Sequence, residues 1–206
     1  MKTNANTLAL MPNTESHSDC PRRWLGIDFS GNSHNWPSDC QTSNVWFAEV
    51  IEHENELRLE GLGHVQRLPG LDAPFRRLAA RLRTKDFCAA AIDAPFSVPA
   101  DFIPVGGHDG LLALVKRIPL ENRPFPEAKT FANTVIAGRA MATPKPLRRT
   151  EREWQDQGVN VRSTLWFGPR GGAAMTAACL VLLRAISGHG VSIELALLRR
   201  LFPPLN

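Results

Sequence analysis

Two stretches of the chain share one pattern of apolar and polar positions. Trp24-Leu25-Gly26-Ile27-Asp28-Phe29-Ser30-Gly31 is a short apolar run that reaches an aspartate and passes into a small polar loop. Phe87-Cys88-Ala89-Ala90-Ala91-Ile92-Asp93-Ala94-Pro95 repeats it, and Pro95 stops the strand. The first run predicts a strand over Trp24 to Phe29, followed by a loop from Ser30 to Asn44 rich in Gly, Asn, Ser and Pro. Val45-Trp46-Phe47-Ala48-Glu49-Val50-Ile51, aromatic and branched, is the second strand. Glu52 to Glu56 is a turn. Leu57-Arg58-Leu59-Glu60-Gly61-Leu62 alternates with period two and predicts a half-exposed third strand. The short links make these three an antiparallel meander.

Asp72-Ala73-Pro74 signals a helix start, with Asp72 as cap and Pro74 in the first turn. Leu71, Phe75, Leu78, Ala79 and Leu82 fall at helical spacing on one apolar face, with Arg76, Arg77, Arg81 and Arg83 opposite. The Phe87–Ile92 strand lacks alternation, which predicts that both of its faces are covered. A helix between two strands fits a crossover to a parallel neighbour, and the simplest neighbour is the Trp24 strand. Both strands then end at the same sheet edge, where open α/β sheets place ligands. Further helices are expected over Leu111–Ile118, Phe131–Ala140, the buried Ala173–Ile186 and Ser192–Phe202. No internal repeat is visible.

The chain has 206 residues, 43% of them hydrophobic and 21% charged, so one domain with a real core is expected over 24–206. Residues 1–23 are polar and aperiodic and read as a loosely attached, disordered tail. The net charge of +4 is compatible with a nucleic-acid partner without arguing for one. Cys20, Cys40, Cys88 and Cys179 form no CxxC pair. Cys88 and Cys179 lie in apolar runs and read as buried thiols. A disulfide framework is not expected, so the default location is the reducing cytoplasm. The N-terminus has no sustained apolar run of the signal-peptide kind. The Ala173–Ile186 run is too short to span a bilayer, so no membrane partner is expected.

A carboxylate directly after a buried strand is costly unless it is solvated, hydrogen-bonded or bound to a cation. Two readings of Asp28 and Asp93 follow. They form a pair sharing a divalent cation, Mg²⁺ or Mn²⁺, with waters and substrate phosphate. Alternatively, each caps the loop after its own strand. Glu49 is assigned to solvent. Arg148 and Arg149 suit phosphate recognition and Glu151 can offer a further metal oxygen, against the plainer reading of a solvated charged helix end. Glu194 is a weaker candidate of the same kind. Ser30, in the loop after Asp28, is grouped with the two arginines as a substrate-binding candidate. The Arg face of the Asp72 helix is assigned to solvated surface rather than to a nucleic-acid track. No histidines share a ligand spacing, so zinc is not expected. A GxxxxGK[ST] loop, a GxGxxG motif and a GxSxG elbow are all absent.

Gly26-Ile27-Asp28-Phe29-Ser30-Gly31, Val45-Trp46-Phe47-Ala48-Glu49-Val50 and above all Ala91-Ile92-Asp93-Ala94-Pro95-Phe96-Ser97-Val98-Pro99 carry a resemblance. By these motifs and by Gly168-Pro169-Arg170 with its following helix, the chain resembles the domain-of-unknown-function 429 family. That family is described as predicted nucleases with an RNase H-like fold. The resemblance spans about Trp24 to Ile186, judged by motif order. It implies a mixed sheet, three antiparallel strands plus parallel ones, with helices on both faces. It also implies that Asp28 and Asp93 are metal carboxylates in a nuclease acting on nucleic acid. The chain departs from the family at its end, where an acidic residue before a Tyr-Pro is expected and Leu201-Phe202-Pro203-Pro204-Leu205-Asn206 stands instead. Either Glu151 or Glu194 takes that place, or the sheet is incomplete at its C-terminal end. Two rival functions remain open. One is a non-catalytic RNase H-like domain that binds nucleic acid or protein. The other, disfavoured because no second Gly-rich phosphate loop follows strand four, is an actin-like phosphotransferase, since Gly26 to Gly31 faintly resembles that superfamily's first phosphate loop.

Overall fold

The structure, a computed structural model, describes residues 22–84, 86–140, 143 and 145–187. The Ser192–Phe202 helix expectation, Glu194 and Cys20 lie outside the described residues. Four strands form one mixed sheet: β1 (Arg22–Asp28), β2 (Trp46–His53), β3 (Glu56–His64) and β4 (Ala89–Ile92), in the order β3-β2-β1-β4. β1 and β2 are antiparallel, as are β2 and β3, while β4 runs parallel to β1 with Ile27 opposite Ile92. The β2–β3 turn is tight. Glu54 and Asn55 both take positive φ, the primed hairpin geometry whose twist matches its strands. Arg22 and Arg23, assigned to the tail from sequence, belong to β1.

Helix α1 (Pro74–Arg83) supplies the crossover between β1's meander and β4. Pro74 opens it, but the cap position is Ala73, and Asp72 makes no capping hydrogen bond. Phe75, Leu78, Ala79 and Leu82 are buried as the spacing predicts, whereas Leu71 lies before the helix and is fully exposed. α2 (Gly107–Lys116), α3 (Ala128–Ile136), α4 (Arg149–Asp156) and α5 (Ala173–Ser187) follow. α5 is buried nearly all round, with Ala177, Leu180, Leu182 and Leu183 in the core, and it touches α1, α2 and α3. Among the described residues no helix is long and apolar enough to cross a membrane.

Among the described residues the two faces of the sheet differ, and the helices described meet one of them. Leu25, Ile27 and Phe47 are buried on the face that meets the helices. The alternate positions are not covered among the described residues: Ala89 and Ala91 on β4, Trp46 on β2, and Leu57, Leu59 and Leu62 on β3 are all exposed. Among the described residues β4 is therefore covered on one face only. Its uniform alanines hide the alternation that would have revealed this from sequence. β3 is more exposed than its period-two pattern predicts, since it is an edge strand over that open face.

Candidate functional site

The parallel register of β1 and β4 brings the two sequence-selected aspartates together. Asp93 donates its backbone N–H to the Ile27 carbonyl at 3.0 Å. Asp28 and Asp93 thus follow paired residues of neighbouring strands, whose spacing is about 4.8 Å. Both are exposed. Among the described residues, neither carboxylate has an ion pair or a side-chain hydrogen bond. Asp93 sits in a tight turn, with Ala94 N bonded to Ile92 O at 2.9 Å, so Ala94-Pro95 leaves the sheet at once.

Loop structure beside Asp28 is firmly held. Ser30 is buried, and its hydroxyl oxygen accepts from Asn32 N (3.2 Å) and Asn35 Nδ2 (2.9 Å). The indole of Trp36 donates to the Ser30 carbonyl at 3.0 Å and packs on Phe29 and Phe75 with ring centroids 5.3 and 4.9 Å away. Gly31 lies against the first turn of α5, where a Cβ would overlap the backbone of Ala174 and Met175. The Ser30 hydroxyl oxygen is thus engaged within the loop. Beyond this loop lies a cavity of about 380 Å³ bordered by Gly31, His34, Arg123 and Glu127.

The charged segment after residue 147 forms a helix start, the plainer of the two readings of its sequence. Glu151 is buried, and both its oxygens are used by Arg148: Oε2 accepts from the backbone N at 2.8 Å, and Oε1 from Nε and Nη2 at 3.0 and 2.8 Å. This carboxylate at the third helical position caps α4. Arg149 is exposed and pairs with Glu153 one turn on, at 2.9 Å. Among the described residues no three His, Cys, Asp or Glu side chains gather as a metal-holding group, so Glu151 does not complete a triad with Asp28 and Asp93.

Glu49, assigned to solvent from sequence, is half-buried on the Phe47 face and bonds Arg23 (2.9 Å) and Arg81 (3.0 and 2.7 Å). Burial works against the Arg81 charge, but hydrogen bonds to Glu49 and Asp86 outweigh it and hold its pKa above the usual value. Cys88 is exposed, against expectation. Cys179 is buried, and desolvation pushes its thiol up to about 12, so it stays protonated at neutral pH.

The sequence reading missed what stands beside Asp28. Trp46 is its direct partner across β2, and His64 is the partner of Trp46 across β3. The indole and imidazole rings lie 4.0 Å apart between centroids, tilted by 35°. An aromatic residue, Trp46, at the alternate position to the apolar Phe47 in strand two was the available signal. Comparison with known proteins yields no match, either among family models, among curated proteins or among solved structures. Fold and site together define an α/β protein with a four-stranded mixed sheet and two unpaired carboxylates at the C-terminal end of its parallel strands.

Proposed function

We propose that the chain is a metal-dependent hydrolase of phosphodiester bonds in nucleic acid, built on an RNase H-like core. The observation that supports this best is the adjacency of Asp28 and Asp93, exposed and without partners at the ends of two parallel strands. Two free carboxylates are a donor set suited to one hard cation, Mg²⁺ or Mn²⁺, which keeps several waters and shares substrate phosphate oxygens. They do not by themselves make a two-ion site. When bound, such an ion lowers the pKa of a coordinated water and polarises a phosphoryl oxygen. The chain's own part is positional. β1 and β4 fix the two carboxylate backbones, and the Ser30–Trp36 loop, clamped through Gly31 to α5, keeps the exit from β1 rigid.

The test is cleavage of single- and double-stranded DNA and RNA with Mg²⁺ or Mn²⁺. Cleavage should require the ion and should disappear in both Asp28→Asn and Asp93→Asn. Persistence of full activity in either variant would refute this reading. A second reading is an RNase H-like domain that binds nucleic acid without cutting it. It is favoured by the lack of a third carboxylate in the group among the described residues. Binding without cleavage under every ion condition would select it.

A further inference from the structure

The strand register sets four residues in a row across the sheet. Asp93 follows β4, Asp28 ends β1, Trp46 begins β2 directly opposite Asp28, and His64 ends β3 directly opposite Trp46. Asp28, Trp46 and His64 are cross-strand neighbours, so they present their side chains to the same face. That face is the one the described residues leave open. Trp46 is 38% exposed there, and its ring packs against that of His64 at a tilt of 35°. Continuing down the face, Leu62 lies opposite Ala48 and is exposed as well.

We propose that Trp46, backed by His64, is a stacking shelf for an unpaired base of a single-stranded nucleic acid whose adjoining phosphate meets the Asp28–Asp93 pair. The proposal rests on the nuclease reading for the role of the carboxylates and adds the substrate class. A base is a flat apolar ring bonded through its sugar to a phosphate. The row offers a flat aromatic ring next to two carboxylates free to hold a cation. An aromatic face accepts any base, so stacking here gives affinity with little sequence preference. A duplex keeps its bases stacked on one another and cannot lay one flat on Trp46 without unpairing it. The packing of His64 fixes the indole's orientation before binding, which reduces the ordering cost on association.

The experiment measures binding of fluorescent single-stranded and duplex oligonucleotides with cleavage-resistant phosphorothioate linkages to the full chain in Mg²⁺, so that the ion is present and the strand stays intact. The single strand is expected to bind more tightly than the duplex. Trp46→Ala should weaken single-strand binding roughly ten- to a hundredfold. Trp46→Phe should restore most of the affinity and remove the part of the intrinsic tryptophan quenching that the bound base causes. Trp154→Ala is the control. Trp154 is 60% exposed on α4, away from the row in sequence, and its loss should leave binding unchanged. Equal weakening by both alanine variants, or none by Trp46→Ala in a protein that melts like wild type, overturns the proposal. A dimer dissociated by Trp46→Ala, with oligonucleotide affinity unaltered, also overturns it and assigns the face to a second copy. Asp28→Asn and Asp93→Asn separate the two readings. Failure of the nuclease reading leaves Trp46-dependent single-strand binding intact, whereas metal-dependent cleavage that ignores Trp46 sinks the shelf alone.

Discussion

The two ends of β1 carry opposite charge and opposite fates. At its start, Arg22 pairs with Glu52, and Arg23 enters a connected set of ion pairs: Arg23 with Glu49 and Glu60, Glu49 in turn with Arg81, and Arg81 with Asp86. At its end, Asp28 stands beside Asp93 with no partner for either among the described residues. The same strand thus ties up its cations for structure and leaves its one carboxylate free, beside that of Asp93. A paired half-buried charge holds elements together. An unpaired pair of like charges contributes nothing to stability and repels slightly, so it reads as a site kept open for a cation.

The largest effects should come from exchanging the behaviours of the two ends. Asp28→Asn and Asp93→Asn remove a repulsion and no bond, so thermal unfolding should stay within a degree or two of wild type or shift upward. Metal-dependent cleavage should fall by more than about a hundredfold, beyond the 10–100-fold typical of outer-shell partners. A clear drop in melting temperature in these variants would mean that the aspartates serve the fold, and the contrast between the ends would collapse.

Arg81 tests the other end. Its side chain is only 13% exposed and serves Glu49 and Asp86 together. Arg81→Ala strands the half-buried Glu49 carboxylate with Arg23 alone. The expected loss is about 2 kcal/mol in urea unfolding, below the 3–5 kcal/mol of a fully buried pair because water still reaches part of the network. Cleavage by the folded fraction should be unchanged. Loss of activity without loss of stability would contradict the division between the ends.

How much of this contrast could be read beforehand follows from the range of each interaction. Asp28 and Asp93 were legible because local patterns suffice: an apolar run ending in Asp, twice, with an intervening helix that forces a parallel crossover. The helix core of Phe75, Leu78, Ala79 and Leu82 was legible for the same reason. Glu49 was not, although its alternation with Phe47 placed it on the inner face. Its main partner is 32 residues away, and only tertiary structure makes a charge welcome there. Glu151 was misleading because a capping carboxylate and a metal ligand look alike in a charged run, and the Arg148 guanidinium decides between them. Trp46 and His64 escaped notice because their adjacency depends on a register that contains a bulge at Glu49 and Val50. Alternation along either strand alone does not reveal it. The open face was hidden by β4, where alanine on both sides of the strand carries no polarity signal.

Asp86 supplies the smallest and most easily signed effect, at the outer edge of the ion network. Its pKa is held below the usual carboxylate value, first by the Thr84 hydroxyl and then by Arg81, against some desolvation. A carboxylate lowered on folding adds stability above its unfolded pKa of about 3.9, and loses that stability as pH falls through the lower folded value. Wild type should therefore exceed Asp86→Asn in stability by a constant margin between about pH 5 and 7, with the margin shrinking below about pH 4. Thr84→Ala should show the same sign, since its hydroxyl is the largest contributor. Asp86 is 57% exposed, so added salt should shrink the margin as well. A margin that is as large at pH 3 as at pH 7 would mean that shape rather than charge joins Asp86 to Arg81. The basic end of β1 would then be held by packing, and the opposition between its two ends would no longer be one of charge.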